Sequence, residues 1–268
     1  MPFVRVRGAN LNYVDTQAGD ETILFSHGFL MSQALFAPQI EALKPRYRCV
    51  AYDHRGQAGS EVTKTGYDLD SLTEDAEAVI GALDLGPCHF VGLSMGGFVG
   101  MRLALKRPDL IRSLILLDTS ADPETNKMKY SALGLVARVF GLRSVAGPAM
   151  NTLFGTSYLS DPAQASARTA WRTHVTDHDK AGILRALKAL IDRDGVAENL
   201  VQIDTPTLVL TGEEDVATPP EKGRKIAAAI PGAIFKLIDK AGHSATIEQP
   251  QAVTSAIAEF LETSKNLR

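Results

Sequence analysis

One serine stands where nucleophilic chemistry is easiest to build. Ser94 lies in "GLSMG", with Gly92 and Gly96 on either side and Gly97 following. A strand that turns abruptly into a helix needs small residues at the corner, and such a turn lifts the hydroxyl above the sheet in a strained conformation. The same geometry leaves the backbone N–H of Met95 at the start of a helix, aimed where an oxyanion would form. The five-residue pattern alone also fits an ordinary glycine-rich turn. Its weight comes from the strand-like run "HFVGL" before it and the helical run after it.

A serine hydroxyl is a poor nucleophile at neutral pH and needs a base, itself oriented by an acid. Among six histidines, His243 in "DKAGHSATIEQP" follows the last strand-like run and precedes the last helix, at the sheet edge that holds the serine. His27 opens "HGF" after an earlier strand; it pins that loop by hydrogen bonding, and its neighbour Phe29 supplies a second oxyanion N–H. His54 in "YDHRGQAGS" orders its own loop, and His89 begins a core strand. His174 and His178 are four apart in "WRTHVTDHDK", a spacing compatible with one helix face. Two ligands do not close a zinc site, and neither H-E-x-x-H nor H-x-H-x-D-H is present, so this pair packs a cap helix or lines a pocket. For the acid, "TLVLTGEEDVATPP" places Asp215 just past a late strand; Asp118, Glu213 and Glu214 compete for the role. The order nucleophile, acid, base is then Ser94, Asp215, His243.

Such groups must be carried by a sheet. Short apolar runs begin at Thr22, Arg48, His89, Ser113, Pro206 and Ala233, and most are continuous rather than alternating. That is how parallel strands read when helices cover both faces. Between them, Leu72, Ala76, Val79, Ile80 and Leu83 repeat at helical spacing, and "RPDL" ends the helix after the serine because proline cannot continue it. The opening "FVRVRGANLNYVD" reads as an edge hairpin turning at Gly-Ala-Asn, and "QPQAVTSAIAEFLETS" as a last amphipathic helix. Residues 121–190 break the rhythm with helical patterns and no strand, so they form an inserted cap on a core of residues 1–120 and 191–268. The insertion holds nine Lys or Arg against five Asp or Glu, a solvated basic surface or a weak hint of ligand charge.

At 268 residues and 45% hydrophobic content the chain can bury a large core. A formal net charge of -3 with no Lys/Arg cluster argues against a nucleic-acid partner. No apolar stretch reaches signal-peptide or membrane-span length, so the expectation is a cytoplasmic protein with no membrane contact. Cys49 and Cys88 fall in strand-like runs and read as reduced, packed thiols.

Taken in order, "HGF", "YDHRGQAGS", "GLSMGG", "TGEEDVATPP" and "AGHS" resemble the α/β-hydrolase superfamily across nearly the whole chain outside the cap. One departure is Ala58, where the family commonly has the second glycine of D-x-R-G-x-G-x-S. The resemblance implies an α/β fold with a mostly parallel central sheet, a Ser94–Asp215–His243 triad, and oxyanion donors on Phe29 and Met95. It implies a small-molecule ester or lactone substrate, no metal or organic cofactor, and similarity to small esterases, enol-lactone hydrolases and N-acyl-homoserine-lactone hydrolases. Alternatives on the same scaffold are cofactor-free perhydrolases, carbon–carbon bond hydrolases and non-catalytic receptors. Apolar cap residues, among them Leu133, Leu153, Phe140, Phe154, Tyr158 and Trp171, are candidates to line the acyl pocket.

Overall fold

The apolar runs become strands covered on both faces. In the computed structural model, which describes residues 2–265, the strands are β1 (Phe3–Val6), β2 (Ala9–Asp15), β3 (Thr22–Ser26), β4 (Arg48–Tyr52), β5 (Cys88–Leu93), β6 (Ile111–Leu117), β7 (Thr207–Gly212) and β8 (Ile234–Ile238). They form one sheet in the order β1-β2-β4-β3-β5-β6-β7-β8. β2 pairs antiparallel with β1 and β4, and all other neighbours are parallel. The helices are α1 (Ala37–Leu43), α2 (Leu69–Ala82), α3 (Met95–Lys106), α4 (Lys127–Phe140), α5 (Ala146–Leu153), α6 (Thr156–Ser160), α7 (Ala165–Thr176), α8 (Lys180–Asp192), α9 (Pro220–Ala229), α10 (Ala245–Glu248) and α11 (Pro250–Lys265).

Period-two alternation splits each central strand between two cores. Leu24, Val50 and Phe90 face α2, α3 and α9, while Ile23, Phe25, Cys49, Ala51, Val91 and Leu93 face α1 and α11. Both sets are buried, which is why the runs read as continuous. Asp68 caps α2 by accepting from the Ser71 amide, and Leu72, Val79 and Ile80 bury its inner face. Each such side chain contributes roughly 1.5–3 kcal/mol. Cys49 and Cys88 are free and buried, and burial pushes both thiols up to about 12, far from thiolate chemistry at neutral pH.

The first hairpin turns one step earlier than expected. Arg7 and Gly8 take φ values of 45° and 77°, and Ala9 already opens β2. Two positive φ values make the tight turn whose twist matches the flanking strands. Between β6 and β7 the chain is helical, α4 to α8, and α8 runs on to Asp192. Among the described residues no helix is long and apolar enough to cross a membrane.

Candidate active site

β5 ends at Leu93 and α3 begins at Met95, which leaves Ser94 alone at the corner. Its φ of 53° and ψ of -110° are strained for a residue with a side chain, by roughly 1–3 kcal/mol. Three hydrogen bonds impose that conformation: the Ser94 N–H donates to the Leu117 carbonyl at 2.9 Å, and its carbonyl accepts from the Phe98 amide at 3.0 Å and Thr119 Oγ1 at 2.8 Å. The flanking glycines supply clearance. A Cβ on Gly92 would run into the Gly96 carbonyl, one on Gly96 into the Ser26 carbonyl, and one on Gly97 into the Thr119 side chain.

His243 and Asp215 arrive from the same edge, five residues past β8 and three past β7. His243 Nδ1–H donates to Asp215 Oδ2 at 2.9 Å, and Asp215 also accepts from the Ala217 and Thr218 amides at 2.8 and 2.9 Å and from Thr218 Oγ1 at 2.7 Å. With Nδ1 protonated, His243 Nε2 is left as an acceptor. Asp118 serves a different purpose. Its carboxylate accepts from the Gly212 amide at 2.7 Å and the Ala245 amide at 3.3 Å, tying the end of β7 to the turn after His243. Burial, then the charge of Asp215, hold its carboxyl well above the ordinary range. Glu213 accepts from the Lys240 amide at 3.1 Å, and Glu214 from the Ser157 amide at 2.7 Å and the Ser157 hydroxyl.

The loop after β3 presses against the serine. A Cβ on Gly28 would sit 2.9 Å from Leu93 Cδ2 and 3.2 Å from Ser94 Cβ. His27 pins this loop by donating from Nδ1 to the Gly28 carbonyl at 2.7 Å and accepting the His54 amide on Nε2 at 2.9 Å. His54 bonds Ser26 Oγ at 3.0 Å, and His89 bonds Ser113 Oγ at 2.7 Å between β5 and β6. Burial lowers the pKa of His27 and His54, so both stay neutral. Met95 opens α3, where an amide has no acceptor one turn back in its helix.

Ser94, His243, Thr218 and Phe29 line a cavity of about 150 Å³. The insertion lines it as well, with Leu133, Ala137, Leu142, Leu153 and Ile183 among its residues. Its charged lining is Glu124 and Arg193, which pair at 2.9 Å with their side chains 12% and 8% exposed; Arg193 also lies 4.5 Å over the Phe98 ring. None of the nine basic residues of the insertion lines it. Four aromatic candidates lie elsewhere. Phe140 closes α4 and is 74% exposed. Phe154 and Tyr158 stack at 5.0 Å and are buried against the α1–α11 core, where Trp171 also packs. Phe154, Tyr158 and Trp171 dock the insertion, while Tyr130 and mostly aliphatic residues of the insertion line the cavity.

Two residues that sequence reasoning passed over bind the site together. Buried Glu248 accepts from the Gly242 and Ser244 amides at 3.0 and 3.1 Å, bracketing His243, and from the Gly155 amide of the insertion at 2.8 Å. Burial raises its pKa. Thr218 bridges Asp215 and His243. The only signal for Glu248 was a lone acid in "HSATIEQP".

A mostly parallel eight-stranded sheet with a strained serine at a strand-to-helix corner defines an α/β hydrolase. The family model described as alpha/beta hydrolase fold matches residues 21–250, and the chain belongs to that family. It is 30% identical, over 92% of its length and 95% of the relative's, to "Putative carbamate hydrolase RutD" of Agrobacterium fabrum. The enol-lactonase from Burkholderia xenovorans LB400 superposes with a TM-score of 0.91 at 28% identity, covering 97% of this chain and 100% of that one. A thermophilic esterase from Thermogutta terrifontis gives 0.89 at 28% identity, covering 98% and 97%.

Proposed function

We propose that this chain hydrolyses carboxylic esters or lactones through an acyl-enzyme on Ser94. The observation that carries this reading is the 2.9 Å bond from His243 Nδ1 to Asp215, which leaves Nε2 unprotonated on a residue that lines the cavity with Ser94. His243 takes the Ser94 proton as Oγ attacks the carbonyl carbon, while Asp215 orients the ring and stabilises the imidazolium. The Phe29 and Met95 amides receive the oxyanion. Collapse breaks the ester bond, the departing alkoxide takes the proton from His243, and water then releases the acid with His243 again as base. With a lactone, acid and alcohol leave as one molecule.

Residues 121–190 act in this reading as a cap over a core of residues 1–120 and 191–268. The cavity lining is apolar and its two charged side chains neutralise each other, which supports an uncharged substrate with an aliphatic acyl chain. A carbamate, the group named for the relative of Agrobacterium fabrum, would be attacked at the same carbonyl and is the competing substrate. The test is kcat/KM across p-nitrophenyl esters of increasing chain length, enol-lactones, acyl-homoserine lactones, a carbamate, and acetate with peroxide. We expect an aliphatic ester or lactone to lead, and Ser94→Ala to lose on the order of 10⁴-fold or more. Preference for the carbamate or for peroxide contradicts the reading, and lactones no better than simple esters remove its lactone half. Turnover that depends on Ser94 excludes a pure receptor.

A further inference from the structure

The backbone of Leu30, next to Phe29 in the loop after β3, is held on both sides of its Cα. Its N–H donates to Gln57 Oε1 at 2.9 Å, and its carbonyl bonds His178 Nε2 at 3.0 Å. His178 comes from the insertion, in the turn between α7 and α8. Its other nitrogen, Nδ1, accepts the Ala58 amide at 2.9 Å, a contact between residues 120 apart in sequence. A backbone amide can only donate, so Nδ1 carries no hydrogen and Nε2–H is the donor to Leu30. The ring's protonation state follows from its partners.

Both backbones that His178 touches are strained. Leu30 and Ala58 have φ values of 64° and 45°, in the left-handed region that side-chain-bearing residues enter only against a steric cost. Such conformations persist where neighbours over-determine them. Leu30 and Phe29 both line the cavity with Ser94, so the set of this loop decides where the Phe29 amide points.

We propose that His178 is a positioning residue for the oxyanion loop: a neutral imidazole, supplied by the insertion, fixes the Leu30 carbonyl and through the Leu30 backbone the aim of the Phe29 amide. The proposal rests on the reading of Phe29 as an oxyanion donor. His178 is buried, and burial first, then His174, lower its pKa to about 4. The groups facing it are His174 of α7 with ring centroids 5.0 Å apart, His27 of the loop after β3, and Asp53 just past β4. The position therefore requires an uncharged side chain that donates at one end and accepts at the other. Glutamine meets that requirement and leucine does not.

The experiment compares His178→Gln and His178→Leu with the wild type, measuring kcat and KM on the best ester, thermal midpoint, and affinity for two ligands. One ligand is an aliphatic trifluoromethyl ketone, which adds Ser94 to give an oxyanion; the other is the unreactive methyl ketone of the same chain. Misplacing a donor by about 1 Å loses on the order of 10²-fold. His178→Leu is expected to lower kcat about 10- to 100-fold and to weaken the trifluoromethyl ketone by the same factor. KM and methyl ketone affinity stay within about 2-fold, and His178→Gln restores kcat to within about 5-fold. Unchanged kcat and trifluoromethyl ketone affinity in His178→Leu, or an equal loss in His178→Gln, overturn the proposal. If His178→Leu does not fold, Gln57→Leu releases the N–H side of the same residue and must show the same selective loss; an unselective effect there overturns it. Turnover surviving in Ser94→Ala overturns the acyl-enzyme reading itself, whereas an inactive Ser94→Ala beside an unaltered His178→Leu overturns the positioning role alone.

Discussion

The sheet edge and the helical insertion build one cavity by different physical means. At the edge, Ser94, Asp215 and His243 sit one, three and five residues past the ends of β5, β7 and β8. Hydrogen bonds of fixed direction hold them, and those made by the Asp215 and His243 side chains demand a particular residue type. The insertion contributes chiefly aliphatic surface, and one aliphatic side chain substitutes for another at little cost. The difference explains why the edge is sharply specified and the insertion loosely so, and substitutions placed in matched pairs test it.

The largest contrast should come from two glycines. Gly96→Ala drives a Cβ into the Ser26 carbonyl, and we expect a loss above about 4 kcal/mol in denaturant unfolding, or no folded protein. Gly147→Ala in α5 meets nothing within 4 Å, and should hold or gain up to about 1 kcal/mol. Equal effects would erase the distinction between the two regions.

Acid should act next, at the seam between them. Unfolded His178 takes up a proton below about pH 6.5, whereas the folded side chain resists until about pH 4. The unfolded state therefore binds more protons in that window, and stability falls as pH drops, by about 1.4 kcal/mol per unit and roughly 3 kcal/mol in all. His27, His54 and His174 are also held low by burial and steepen the fall. His178→Gln should flatten the curve of unfolding free energy against pH between 6.5 and 4; an unaltered slope contradicts the assignment.

Within the insertion, Leu153→Trp fills part of the cavity. Rates on long-chain esters should drop about 10- to 100-fold while short acetates change little. The smallest effect belongs to Phe140→Ala, within about 2-fold in rate and 0.5 kcal/mol in stability, because its ring lies in solvent. A large loss of activity in Phe140→Ala would return that residue to the pocket.

These contrasts also mark what could be read in advance. The six apolar runs became strands, the central ones because burial on both faces leaves a dense local signature, and the edge hairpin showed itself by alternation. Ser94, Asp215 and His243 stood out as candidates because each is polar and placed just past a strand, and the fold brings His243 and Asp215 into a hydrogen bond. The hairpin turn was misplaced by the pull of Gly-Ala-Asn, although Arg7 and Gly8 supply the positive φ values. Phe154, Tyr158 and Trp171 looked like pocket residues because aromatic character does not say which surface a helix turns inward. His178 and Glu248 were illegible for a stronger reason. Their partners lie 120 and 93 residues away, at Ala58 and Gly155, and no local pattern encodes such a contact.

The central claim is that Ser94 carries the acyl group, with His243 as its base. Mixing the protein with p-nitrophenyl butyrate, quenching in acid within milliseconds and mapping the modified peptide by mass spectrometry tests it directly. A butyryl group is expected on Ser94, absent in Ser94→Ala and formed at least about 10³-fold more slowly in His243→Ala. A butyryl group on another residue, or steady turnover in Ser94→Ala, would contradict it.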